Sequence, residues 1–280
     1  MSQQPIVTKA SGEQMPFVTD KLKQSLRRAG VSDAILNTIV EKVQGRLYDG
    51  ITTKEIYRIA FNLLKNDTSS SAAKYKLKKA IMELGPSGFP FEKYIAELFK
   101  HQGFQTMVGQ VVQGRCVTHE IDVIAEKGNL LSIVECKFHN QQGYMCDVKI
   151  PLYVHSRFRD VEAHWRTLPE YKDRVFEGWI VTNTRFSDDA AQYGACARLH
   201  LLAWDYPQRG GLRELIDKSG LYPVTCLTTL TNYEKTRLLE MGIVLCKEVQ
   251  NNEPLLRLIG ISDNRLKNII RESREVSIIA

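Results

Sequence analysis

Residues Thr118 to Lys137 read Thr-His-Glu-Ile-Asp-Val-Ile-Ala-Glu-Lys-Gly-Asn-Leu-Leu-Ser-Ile-Val-Glu-Cys-Lys. Two runs rich in alternating apolar residues flank Gly128-Asn129, and a Gly-Asn pair in that setting favours a two-residue hairpin turn. With Lys127 opposite Leu130, Asp122 falls opposite Glu135, their Cβ atoms about 5 Å apart across the ladder. Strand alternation puts Lys137 on the face of Glu135 and turns Cys136 away. It is also expected to turn Glu120 away from that face.

Two carboxylates facing each other across a strand pair repel, so a chain that keeps them calls for compensation. A divalent cation supplies it. Magnesium is hard, prefers oxygen, and is held by one or two carboxylates together with substrate phosphate oxygens. It neutralises charge developing on a phosphate and lowers the pKa of an attacking water. Lys137 then orients or deprotonates that water, or stabilises the negative transition state. The three residue types make a working phosphodiester-hydrolysis site. The bland alternative is a solvent-facing Glu-x-Lys ion pair beside an exposed Asp. The opposed Asp122, the apolar neighbours on both strands and the preceding helix carrying Glu92 weigh against it.

Upstream, Phe91-Glu-Lys-Tyr-Ile-Ala-Glu-Leu-Phe-Lys-His-Gln-Gly-Phe104 reads as an amphipathic helix, with Phe91, Ile95, Leu98 and Phe99 inward and Gly103 ending it. Gln105–Val112 is a strand that precedes the hairpin. Downstream, the stretch from Ile150 to Trp165 is helical and Phe176–Thr184 is a strand. Ser187 caps a helix, and His200–Asp205 is a last strand. His119-Glu-Ile-Asp122 followed by Val134-Glu-Cys-Lys137, in this helix–hairpin–strand–helix–strand context, resembles the PD-(D/E)xK nuclease core. The similarity is to the Mrr-type restriction endonucleases, over residues 85 to 206. It implies metal ligation by Asp122 and Glu135, a catalytic role for Lys137, support from Glu92, and magnesium or manganese as cofactor. Many Mrr-type members carry Gln at the position of Glu135, and their glycine-rich approach to the Asp is here Thr118-His119-Glu120. His119 and His139 stand at the ends of the face and are read as peripheral.

The first segment begins with the alternating stretch Ile6–Lys9 and a Gly12 turn. Helices follow with Leu22, Leu26 and Ala29, then Ile35, Ile39 and Val43. Gly30 sits at a C-cap, and a third helix has Thr52 or Thr53 as N-cap with Glu55 in its first turn. Val7-Thr-Lys-Ala-Ser-Gly12 onward, with Gly50-Ile-Thr-Thr-Lys-Glu-Ile-Tyr57, resembles the ATP-cone over residues 5 to 65. The resemblance implies binding of ATP or dATP through Val7, Lys9, Gly12, Lys21, Thr53 and Tyr57. Lys9 and Lys21 are point charges suited to phosphate. The usual Arg and Asp before Gly12 are Ala10 and Ser11 here, which removes a bidentate phosphate contact. A helical protein–protein module that kept the fold is the alternative.

Residues 67–84 read as a linker entering a basic helix, whose Lys74, Lys76, Lys78 and Lys79 suit either phosphate or a solvated face. The tail is helical. Its Leu258-Ile-Gly260 turn and second basic helix loosely resemble a helix-hairpin-helix, with Arg265, Lys267 and Arg271 as candidate phosphate contacts. Asp263-Asn264 stands where that motif has its second glycine, so a purely structural helical pair fits equally.

The chain has 280 residues, 43% hydrophobic and 25% charged, values ordinary for globular proteins. No apolar run approaches the roughly 20 residues that cross a bilayer. Nothing after Met1 resembles a secretory signal, which leaves the cytoplasm as the expected compartment. The six cysteines form no CxxC pair, which argues against zinc and for buried free thiols. A net charge of +6 suits a polyanionic partner without demanding one.

The expected architecture is α/β multidomain. It comprises an ATP-cone over residues 1–66, a linker over 67–84, a restriction-endonuclease-like mixed sheet flanked by helices over 85–220, and a helical tail over 221–280. The expected activity is metal-dependent endonucleolytic hydrolysis of DNA under nucleotide control, with no membrane association and a homodimer by family analogy. The rival readings are a non-catalytic, nucleotide-responsive DNA-binding regulator and a nuclease directed at RNA.

Overall fold

The computed structural model describes residues 4–9, 11–141 and 143–278, with Asp67 by its backbone alone. Along the chain lie β1 (Ile6–Thr8), β2 (Gln14–Pro16), α1 (Thr19–Arg28), α2 (Asp33–Gln44), β3 (Ile51–Thr52), α3 (Thr53–Asp67), α4 (Ser69–Tyr75) and α5 (Leu77–Met82). Then come α6 (Phe89–His101), β4 (Gln105–Gln113), β5 (Thr118–Lys127), β6 (Leu130–Lys137), β7 (Met145–Cys146), α7 (Lys149–Trp165), β8 (Val175–Thr182), β9 (Arg185–Phe186), α8 (Asp188–Cys196) and β10 (His200–Leu202). Helices α9 (Leu212–Ser219), α10 (Asn232–Glu240), α11 (Cys246–Val249), α12 (Glu253–Leu258) and α13 (Asp263–Ser277) complete it. Among the described residues no helix is long and apolar enough to cross a membrane.

Two compact units emerge, both built from separate stretches of chain, and the first is the more discontinuous of the two. It takes residues 1–80 together with 222–238 and 245–280, while the other takes 81–221 and 239–244. Boundaries drawn along the sequence do not express this sharing of the chain ends.

In the discontinuous unit β1 pairs antiparallel with β2 and parallel with β3. Gly12, at φ +82°, makes the turn between the first two. Thr52 caps α3. Its hydroxyl accepts the Glu55 N–H at 3.1 Å while Glu55 accepts the Thr52 N–H at 3.0 Å, a reciprocal capping box. Leu26, Leu36, Val43, Ala60 and Leu64 are wholly buried in one core. The segment 67–84, read as a linker entering a basic helix, is helical through α4 and α5, and α4 buries Ser71, Ala72 and Ala73. Of the lysines read as suiting either phosphate or a solvated face, Lys76 does neither: it is 7% exposed and donates to the Thr225 carbonyl at 2.9 Å. Lys74 donates to the Ile278 carbonyl at 2.9 Å. The partners of both lysines are supplied by much later stretches of the chain.

The second unit is built on a five-stranded sheet of order β10-β8-β6-β5-β4. Strands β4, β5 and β6 are antiparallel, and β6, β8 and β10 are parallel. Helix α6 packs against β4, β5 and β6. Its buried stripe includes Phe91, Ile95, Leu98 and Phe99, and Gly103 at φ +88° ends it. Helix α7 lays Val154, Phe158, Val161 and Trp165 on Ile124, Leu131, Ile133 and Ile180 of the sheet. Burying such a row at roughly 25 cal/mol per Å² fixes α7 against the strands that carry the acidic residues.

Candidate functional site

The hairpin forms as its turn residues dictate. Gly128 takes φ +58°, and the ladder runs from Lys127↔Leu130 to Val123↔Val134. Asp122 and Glu135 come next in this register, but there the ladder stops. Asp122 Oδ2 accepts the Cys136 N–H at 2.6 Å, a carboxylate standing where a neighbouring strand's carbonyl would be.

The other neighbour of β5 explains the opening. Gly109 lies opposite Asp122, between the pairs Val108↔Val123 and Gln110↔Ile121, at φ +63°. Ile121 and Ile124, three residues apart, pack in the same cluster under α7. Strict alternation would send them to opposite faces, so the face pattern resets at Asp122. The reset bears on Glu120 as well, whose exposed carboxylate still helps to raise the Glu92 pKa.

Lys137 Nζ bonds Glu135 Oε1, and Arg157 of α7 bonds Glu135 Oε2 at 2.7 Å. A second guanidinium nitrogen of Arg157 donates to the Glu120 carbonyl. Glu135 is thus 6% exposed yet gripped by two cations. Asp122 is not satisfied to the same degree. Burial, then the Glu135 charge, push its pKa up to about 6 against the opposing pull of the Cys136 N–H, Lys137 and Arg157. Glu92 is pushed up to about 7 by burial, then by Asp122, Glu120 and Glu135. Burial pulls the Lys137 ammonium down, but Glu135 and Asp122 outweigh it and hold the group above its ordinary value.

The cluster therefore keeps an excess of negative charge that Lys137 and Arg157 leave uncancelled. Among the described residues no three His, Cys, Asp or Glu side chains are arranged to hold a metal ion. A cation placed here would rest on Asp122 and Glu135, with water or substrate oxygens completing its shell. This fits hard, oxygen-seeking magnesium and not a zinc site closed by protein ligands.

Arg157 escapes a reading for acidic and lysine motifs. The available signal was its place on the buried stripe, three residues after Val154 and four before Val161, where a charged residue needs a partner. His119 and His139 are both engaged within the fold. His119 Nε2 meets Asp160 Oδ2 at 2.8 Å and is the main cause holding that carboxyl at about 2. His139 is clasped through its backbone by the Asn183 side chain at 2.9 and 2.6 Å.

In the discontinuous unit, a cavity of about 210 Å³ is lined by Val7, Lys21, Thr53 and Tyr57, together with Phe17 and Tyr75. The Tyr57 and Tyr75 rings stack at 5.2 Å. Lys9 and Gly12 do not line it. Lys9 pairs with Glu13 at 2.9 Å, and Gly12 turns the hairpin. Ala10 lies outside the described residues. In the tail, the candidate Arg265 takes the structural reading: it binds Glu234 Oε2 at 2.9 Å and the Thr229 carbonyl at 2.7 Å.

The ATP cone domain family matches residues 5–81, the restriction endonuclease family of Mrr type residues 85–207, and the AF1548-like C-terminal family residues 222–277. An uncharacterized protein of Archaeoglobus fulgidus is 38% identical over 183 residues, 65% of this chain and 99% of its own length. The crystal structure of AF1548, a protein of unknown function, is 34% identical with a TM-score of 0.56, covering 68% of this chain and 98% of that one. Fold and matches define a class: a protein joining an ATP-cone to a PD-(D/E)xK domain of the Mrr restriction-endonuclease type. The chain belongs to the AF1548-like family, here with an ATP-cone ahead of the shared part.

Proposed function

We propose that the protein hydrolyses phosphodiester bonds of DNA with the help of a divalent cation, under the control of ATP or dATP. One observation carries the first half: Asp122, Glu135 and Lys137 converge where β5 and β6 part, beside Glu92, with acidity left uncancelled. Magnesium or manganese bound there would neutralise charge on the phosphate and acidify an attacking water. Asp122 and Glu135 would hold it. Arg157 keeps the Glu135 carboxylate oriented. Lys137, an ammonium at neutral pH, donates to a phosphate oxygen or to the attacking water. Glu92 adds a further acidic group whose protonation changes near neutrality.

Purified protein should cut DNA with magnesium or manganese and not with EDTA, and Lys137→Met should slow cleavage by about a hundredfold or more. Equal traces for wild type and variant on duplex, single-stranded and branched DNA would favour the non-catalytic regulator instead. RNA of matching sequence, run as competitor, decides between the two nucleic acids. A homodimer would supply two sites for paired cuts.

For the second half, the cavity between β1, α1 and α3 supports the reading, with Lys21 as its ammonium and the paired tyrosines as an aromatic wall. Calorimetry should show ATP or dATP binding that weakens about tenfold in Lys21→Ala. Unchanged affinity in that variant would remove Lys21 from the phosphate site.

A further inference from the structure

The hydrolytic cluster is bordered by exposed aromatic and apolar surface that its phosphate chemistry does not need. Tyr144 is 56% exposed and lies flat on His139, centroids 5.6 Å apart and planes within 7°. His139 follows Lys137 by two residues. Tyr153 is 57% exposed, and the Arg157 guanidinium sits over its ring at 5.4 Å. Arg157 in turn binds Glu135. Tyr153 is thus one side chain removed from Glu135, and Tyr144 rests on an imidazole whose pKa is lowered by burial and then by the Lys137 charge. Met145 and Leu152, next to them in sequence, are also exposed, at 58% and 43%. Arg185, two-thirds exposed, is the strand partner of Met145.

A double helix presents phosphates and sugars outward and keeps its bases stacked inside. Against such a backbone, exposed tyrosines and a methionine gain little. An unpaired strand offers base faces, which stack on aromatic rings whatever their sequence, while arginines and lysines follow its backbone. Tyr144 is already seated on one ring, and Tyr153 on a guanidinium, so each has one face fixed and the ring is largely in solvent. A base stacking there loses little side-chain freedom to the protein. Lys137 and Arg157 are engaged with Glu135, so the cation beside the rings that faces solvent is Arg185, two-thirds exposed and 3.8 Å from Asp205, where a strand's backbone can follow it.

We propose that this site takes DNA with unpaired nucleotides, and that Tyr144 and Tyr153 are stacking platforms for bases flanking the phosphate to be cut. The inference rests on the nuclease reading for its purpose, but its test needs no cleavage. Fluorescence anisotropy on the full chain in EDTA would compare a mixed-sequence single strand with its blunt duplex. The single strand should bind about tenfold more tightly. Tyr144→Ala and Tyr153→Ala should each weaken it about tenfold and leave duplex binding almost unchanged. Tyr→Phe at either position should restore wild-type affinity, and Tyr→Leu should not, since a ring face is what matters. Equal binding of duplex and single strand, or Ala variants that bind like wild type, would overturn the proposal. If the binding pattern holds while no DNA is cut with magnesium, the nuclease reading alone fails. If duplex is cut and the tyrosine variants bind normally, the stacking inference alone fails.

Discussion

Asp122→Asn should reduce DNA cleavage by about a thousandfold or more and, in the same molecule, stabilise the central unit. The first effect follows from removing one of two charged oxygen donors where charge develops in the reaction. The second follows from the direction of the pKa shift. The Asp122 carboxyl rises from 3.8 to about 6 on folding, chiefly through burial and then the Glu135 charge. An acid whose folded pKa exceeds its unfolded value favours the native state fully below the unfolded value. That support is lost as pH rises through the folded value. A shift of this size corresponds to about 3 kcal/mol that the ionised native state forgoes above pH 7. Asparagine removes the charge and keeps an oxygen to accept the Cys136 N–H. Without metal, wild type should therefore grow more stable from pH 8 toward pH 5.5, and the variant should show a smaller rise. Magnesium should raise the wild-type unfolding midpoint and leave that of Asp122→Asn nearly unmoved. Loss of cleavage with an unchanged or lower unfolding midpoint at pH 7.5 would refute the electrostatic account of the cluster.

A second large effect is expected in the other unit. Glu272 is 1% exposed and accepts four hydrogen bonds. The Thr228 N–H and hydroxyl reach Oε1 at 2.8 and 2.6 Å, and those of Thr229 reach Oε2 at 2.9 and 2.5 Å. Glu272→Ala would strand these donors around a cavity, at a cost of about 4 kcal/mol to the discontinuous unit. Glu272→Gln should cost less, because one oxygen still accepts while the amide opposes two of the donors. Urea unfolding followed separately for the two units checks this. A loss below about 1 kcal/mol for Ala would mean that water replaces the carboxylate cheaply.

The hairpin was legible because turn chemistry is local. Gly128-Asn129 fixes the register, and register fixes which residues face each other. The opening at Asp122 was not legible, because it depends on Gly109 adopting positive φ in a neighbouring strand. A glycine in a strand signals a distortion without saying which residue opposite will be displaced. Lys76 and Arg265 could not be decided from sequence for a related reason. A basic residue on an amphipathic helix looks the same whether it meets water or a carbonyl. Their partners, Thr225 and Glu234, lie 149 and 31 residues away. Helix ends, by contrast, were readable at Thr52 and Ser187, whose side chains cap the turns that follow them. Of the acidic cluster, spacing supplied Asp122, Glu135 and Lys137 and the family resemblance supplied Glu92, but neither pointed to Arg157, whose contact with Glu135 appears only once α7 lies on the sheet.

The sharing of one unit between two distant stretches of chain has a thermodynamic consequence. When Lys76 grips the carbonyl of Thr225, it closes a loop 149 residues long. If everything between were a flexible coil, that closure would cost about 4 kcal/mol of chain entropy. A folded central domain removes most of this penalty, since its interior is already ordered before the ends are joined. The restriction-endonuclease-like domain and the unit that carries the ATP-cone are therefore linked in stability by connectivity alone, and melting the first should loosen the second.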